Sequence, residues 1–136
     1  MEGLVPVANH DSYLLDLKIK NHGSMAALTT GKATKADINT LISMSNVTEA
    51  LYRLGFGTEY ANVVRAGLDS LFAVGQRGAQ TKQFVLKAQE MTALNTLMEL
   101  HDAQLEIITV KDMERALKLV DKERKEKKMR SIKEPK

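Results

Sequence analysis

Apolar residues recur at helical spacing along most of this chain, in runs separated by glycine-centred breaks. In the first run Leu15, Ile19, His22 and Ala26 share one helical face. The stretch Leu15-Asp16-Leu17-Lys18-Ile19-Lys20 also alternates as a strand would. No second strand-like run exists to pair with it, and a lone strand leaves its backbone groups without partners. The pattern therefore predicts a helix from about Ser12 to Thr30, broken or kinked at Gly23 and closed by Gly31. A second helix starts at Thr34-Lys35-Ala36-Asp37, a Thr-x-x-Asp variant of the capping box. Its stripe is Leu41, Met44, Val47, Leu51 and Leu54, and Gly55 and Gly57 end it.

The third predicted helix takes Thr58 as N-cap and runs to Arg77, with Gly78 as its stop. Tyr60, Val64, Leu68, Leu71 and Phe72 form its expected buried side. Gly67 and Gly75 each cost a helix about 1 kcal/mol relative to alanine. Close approach of a neighbouring helix is the expected reason for both. Phe84-Val85-Leu86 is expected to anchor the start of a fourth helix. There Met91, Leu94, Met98, His101, Leu105 and Ile108 alternate at spacings of three and four, an a/d seam with a histidine in it. Leu97, Leu100 and Ile107 broaden that face, which predicts a central position for this helix. Thr109-Val110-Lys111-Asp112 repeats the Thr-x-x-Asp start, and Val110, Met113, Leu117 and Val120 form the fifth stripe. The next seam positions are Arg124 and Lys127, so the apolar stripe stops while helix propensity continues.

Composition agrees with an all-α fold. The only prolines are Pro6 and Pro135, so no helix breaker lies between them. With no Trp, three Tyr and three Phe, the core rests on Leu, Ile, Val, Met and Ala. At 136 residues one domain is expected: an irregular bundle of about five helices over residues 11–120, preceded by an extended arm at 1–10 and followed by a basic extension at 121–136. That extension holds the chain's surplus charge, with eight basic and four acidic residues among its last sixteen.

The chemistry is mostly exclusion. Without cysteine there is no disulfide, thiolate-bound metal or cysteine nucleophile. None of His10, His22 and His101 has an acid three residues before it, so the Glu-x-x-His pattern of di-metal bundles is missing. Gly55-Phe56-Gly57 lacks the further residues of a phosphate loop, and no serine sits in a nucleophile elbow. No catalytic residue, metal ligand or cofactor is expected, and the chain is read as not an enzyme. Absence of a basic leader and of any long apolar run predicts a non-membrane protein, and with no cysteine the expected location is cytoplasmic.

Two features remain as candidate contact sites. His101 at a seam position needs a hydrogen-bond partner, either as an ordinary core histidine or as a pH-sensitive or register-setting group. In the basic extension, Lys122, Arg124, Lys125, Lys127, Lys128 and Arg130 could meet an acidic protein surface or nucleic-acid phosphates. Interleaved Glu123, Glu126 and Glu134 fit equally well with a solvated helix end. The breadth of the apolar faces at 91–108 and 110–120 further suggests a homodimer.

Two runs, Asn46-Val47-Thr48-Glu49-Ala50-Leu51 and His101-Asp102-Ala103-Gln104-Leu105-Glu106, resemble small helical accessory proteins of bacterial phages, prophages and mobile elements. The resemblance implies a protein that works by binding host or phage macromolecules, and it carries no functional residues over. The expected function is thus a non-catalytic interaction or regulatory protein with a macromolecular partner. Its alternative is a nucleic-acid-binding accessory protein that uses the basic extension.

Overall fold

A computed structural model describes residues 11–133, with the side chains of residues 11, 12, 14 and 127–133 outside what is described. It contains five α-helices: α1 Asp11–Thr29, α2 Lys35–Arg53, α3 Ala61–Thr81, α4 Ala88–Ile107 and α5 Val110–Lys133. A short 3-10 turn, Thr58–Tyr60, precedes α3. There is no β-strand element among the described residues, so the all-α reading holds. The predicted arm at 1–10 lies outside the described residues.

Both Thr-x-x-Asp starts form capping boxes. The Asp37 amide donates to Thr34 Oγ1 at 3.4 Å, and the Thr34 amide donates back to Asp37 Oδ2 at 2.9 Å. Thr109 and Asp112 repeat the exchange at 3.1 and 2.9 Å. The Thr34 amide, assisted by the Ser24 hydroxyl, holds the Asp37 carboxyl below its ordinary range. Because each box satisfies backbone donors that the helix itself cannot, Thr34→Ala should cost about 1 kcal/mol. A thermal melt of that variant beside wild type checks the figure.

Helix α2 is the hub and packs against all four of its neighbours, while α4 packs against α1, α2 and α3. Helix α4 is thus central rather than peripheral, as expected, although α2 has more neighbours. Two apolar clusters straddle the hub. One joins Leu28, Leu41, Leu71, Val74, Leu94 and Leu97, and the other joins Leu51, Leu105, Ile108, Met113, Ala116 and Val120. Ser45 and Thr48 are wholly buried in α2, yet their hydroxyls donate to the carbonyls of Leu41 and Met44 one turn back, each at 2.8 Å.

Several local expectations are corrected. Helix α1 runs unbroken through Gly23, where a Cβ would meet nothing within 4 Å. Its buried face is Asn21, Ser24, Met25 and Leu28, so Leu15, Ile19, His22 and Ala26 face outward instead. Thr58 does not cap α3, because the 3-10 turn intervenes with Gly57 in the left-handed region ahead of it. Gly78 does not stop α3 either. The helix continues one turn to Lys82, which takes the left-handed conformation.

Gly78 is bare because the Phe84 ring lies on it: a Cβ there would come within 2.1 Å of the ring. Phe84 and Leu86 do pack on the core, as expected for an anchor, while Val85 is exposed. The connection is clamped by Arg77, whose guanidinium donates to both carboxylate oxygens of Glu90 and, at 2.6 Å, to the Val85 carbonyl. That bidentate contact holds the Glu90 carboxyl below its usual range. Of the two glycines expected to admit a close neighbour, Gly67 does so, against Leu97, and Gly75 does not. Phe72 is 67% exposed and Ile107 66%, and Tyr60 and Leu117 are also exposed, so none of these four is a core residue.

Candidate functional site

The a/d seam of α4 is buried as predicted, and His101 sits in it with 1% of its surface exposed. Its partner lies one turn ahead on the same helix. Gln104 Nε2 donates to the carbonyls of Thr48 and Phe56, both at 3.1 Å, which bridges α4 to the C-terminal half of α2 and to the turn that follows it. That places Gln104 Oε1 toward the imidazole, 3.4 Å from His101 Nδ1. An amide oxygen can only accept, so Nδ1 carries the proton and Nε2 carries the lone pair. Burial lowers the pKa of His101 to about 4, against the opposing pull of Gln104 and Asp102, and the nearby Lys18 lowers it further. The ring is therefore neutral at neutral pH.

His101 also lines an open groove of about 470 Å³. Its walls are the N-terminal half of α1 (Tyr13, Leu17), the exposed edge of α2 (Ser43, Val47) and the start of α5 (Met113, Leu117). Helices α1 and α5 both pack on α2 without a substantial contact with each other, which leaves the space between them. Asn21 lines the same groove. It is 2% exposed, and its side-chain nitrogen has no hydrogen-bond partner among the described residues.

The second surface is α5. As a single helix of 24 residues it spans about 36 Å. Among the described side chains of α5 the last buried one is Val120, and one turn beyond it Arg53 of α2 forms an ion pair with Glu123. On the face opposite Met113, Ala116 and Val120, the residues Lys111, Arg115, Lys118, Lys122 and Lys125 follow one another at spacings of four and three. All five are exposed, and the row extends about 21 Å along the helix. Of the cations predicted in the extension, Lys122 and Lys125 belong to this row. Arg124 is exposed on a different side, the one that continues from Leu117. The side chains of Lys127, Lys128 and Arg130 lie outside the described residues. Lys111, Arg115 and Lys118 were missed because the extension was read as a block of charge. A helical period applied to basic residues, as it was to apolar ones, would have found them.

Acidic side chains temper the row. Asp121 pairs with Lys125 at 3.2 Å, and Asp112 lies 3.6 Å from Arg115. Among the described residues no three of His, Asp and Glu converge as a metal site would require. No described helix is long and apolar enough to cross a membrane. No family model, curated protein or solved structure matches this chain.

Proposed function

We propose that the chain is a non-catalytic interaction protein that binds an acidic protein partner through the outer face of α5. The observation that carries this reading is the continuous row of exposed basic residues from Lys111 to Lys125, on the face of α5 opposite Met113, Ala116 and Val120. Such a row sets up a positive potential that speeds encounter with, and orients, an anionic surface. The acids interleaved with it favour a partner of matched charge pattern over a uniformly negative polymer. Glu123 is the exception, since its charge is turned down onto Arg53. A regulatory role encoded by a phage or mobile element is the setting that the resemblance of its two short runs suggests.

A second reading, a nucleic-acid-binding accessory protein, draws on the length and straightness of the same row, because Lys and Arg aligned on a helix can displace counterions from phosphates. Both readings are tested with one variant, Lys118→Glu/Lys122→Glu/Lys125→Glu, whose changes are all on exposed positions and should leave the melting temperature unaltered. Under the first reading, wild type captures a discrete acidic protein from its native host and the variant does not. Neither form then retains duplex DNA or RNA at about 50 mM salt. Tight nucleic-acid binding by wild type that falls steeply toward about 200 mM salt, and is lost in the variant, selects the second reading.

The homodimer is a further proposal and needs a different surface from the one first expected. Leu94, Leu97, Leu105, Met113 and Val120 are all consumed within one chain. The outer face of α1, with Leu15 and Ile19 exposed one turn apart, is the better candidate. Scattering at micromolar concentration that returns the mass of a single chain, 15.1 kDa, sinks it.

A further inference from the structure

The face that α1 turns away from the bundle carries a stripe of its own. Leu15, Ile19, Gly23 and Ala26 follow one another at spacings of four, four and three, and all four are exposed. They stand opposite Asn21, Ser24, Met25 and Leu28, the residues by which α1 is docked. Leu15 is 58% exposed and Ile19 61%. Gly23 weakens the middle of a helix, yet nothing lies within 4 Å of where its Cβ would stand, so no contact among the described residues accounts for it. One flank of the stripe is charged, with Asp16 followed one turn later by Lys20. Both are exposed, and neither is in an ion pair among the described residues.

We propose that this face packs on the same face of a second copy, with the two α1 helices antiparallel about a twofold axis that passes beside Lys18. The proposal rests on the homodimer reading above and adds the arrangement of the two copies. A twofold axis of this kind sets the same flank of each helix side by side. In the antiparallel register it brings Asp16 of each copy level with Lys20 of the other, so two opposite-charge pairs form. A parallel pair sets Asp16 against Asp16 and Lys20 against Lys20. The antiparallel register also steps the Leu15 and Ile19 side chains of the two copies past one another at intervals of about 3 Å along the axis. Each Leu15 then sits between Ile19 and Gly23 of the second copy. A side chain at position 23 would occupy that seat, which is a physical reason for glycine there. Lys18 is level with its own counterpart, but it is half-buried on the other flank of α1, turned toward His101.

The test is sedimentation of full-length variants over a micromolar concentration series, with circular dichroism to check the fold. Ile19→Glu, at an exposed position, should return the mass of one chain with helix content unchanged. Asp16→Lys and Lys20→Asp should each weaken self-association about tenfold, because each puts two like-charged pairs into the dimer. An equimolar mixture of those two variants should form a heterodimer within about threefold of wild-type affinity, since both cross-copy pairs are then opposite in charge again. Mixing cannot repair a change confined to one helix, so this restoration reports on the contact between copies. Gly23→Gln should raise the melting temperature of the dilute single chain and yet weaken the dimer about tenfold. If wild type sediments as a single chain of 15.1 kDa, the homodimer reading and this arrangement fall together. If wild type is a dimer that survives Ile19→Glu, ignores the single charge reversals or Gly23→Gln, or is not restored by mixing, only the arrangement is overturned.

Discussion

Gly67→Ala is expected to lower stability by about 2–3 kcal/mol, the reverse of what alanine normally does inside a helix. A Cβ built at Gly67 comes within 2.6 Å of Leu97 Cδ2 and 2.9 Å of Leu97 Cβ. The second distance matters more, since Cβ cannot swing away as a side-chain tip can. Helices α3 and α4 would have to separate along the most extensive contact in the bundle. Gly75, two turns further along α3, is the control. Nothing lies within 4 Å of a Cβ there, so Gly75→Ala should raise stability by up to about 1 kcal/mol. Adding Leu97→Ala to Gly67→Ala relieves the clash but opens a cavity, so the double loss should be smaller than the sum of the single losses. Denaturant melts of the four variants measure all of this. A neutral Gly67→Ala would mean that the helices do not approach as described.

The second large effect is the pH dependence set by His101. Its pKa falls from 6.5 in the unfolded chain to about 4 in the fold, so between those values the unfolded state binds the additional proton. The stability associated with the neutral ring is complete above pH 6.5 and is lost as pH falls through 6.5 toward 4. The total is roughly 3 kcal/mol. The Asp37 and Glu90 carboxyls, both held low, add their own acid losses, but these begin near their ordinary values of 3.8 and 4.5 and so come mostly later. His101→Leu should flatten the loss between pH 6.5 and 4. At neutral pH it should change stability by less than about 1 kcal/mol, because better seam packing is offset by a Gln104 oxygen left without its partner. His101→Asp should cost about 3–5 kcal/mol at neutral pH and behave in the opposite sense on acidification. A buried carboxyl has a raised pKa, so the folded state would take up the proton and recover stability as pH falls. Melting curves of the three proteins at pH 7, 6 and 5 decide the matter. Parallel curves would place His101 in solvent.

How much of this was legible depended on the range of the interaction involved. The capping boxes at Thr34 and Thr109 were readable because a cap joins residues three apart and needs nothing else. Burial of Leu94, Met98, His101 and Leu105 was readable because a seam of one period admits one orientation of α4 toward its neighbours. Phe72 and Leu117 were misplaced for a related reason. Each lies beside a true core position, Leu71 and Ala116, and an apolar stripe two residues wide does not say which edge meets the core. The three glycines of α3 look alike in sequence, yet one faces Leu97, one faces nothing and one lies under Phe84.

The sequence by itself determined the all-α class, the two Thr-x-x-Asp helix starts and the buried seam of α4, since these follow from backbone hydrogen bonding and a period of 3.6 residues within single segments. It also determined where the basic residues of α5 lie relative to one another, although not that they would stand opposite the packed face. The tertiary structure alone decided that α2 is the hub, that α1 turns Leu15 and Ile19 outward, and that α1 and α5 stand apart on α2. It alone brought Asn21, Met44, His101 and Met113 to one groove. These four residues come from four different helices, and no local periodicity relates them. Their meeting depends on the angles at which whole helices pack, which are set by the summed fit of both apolar clusters.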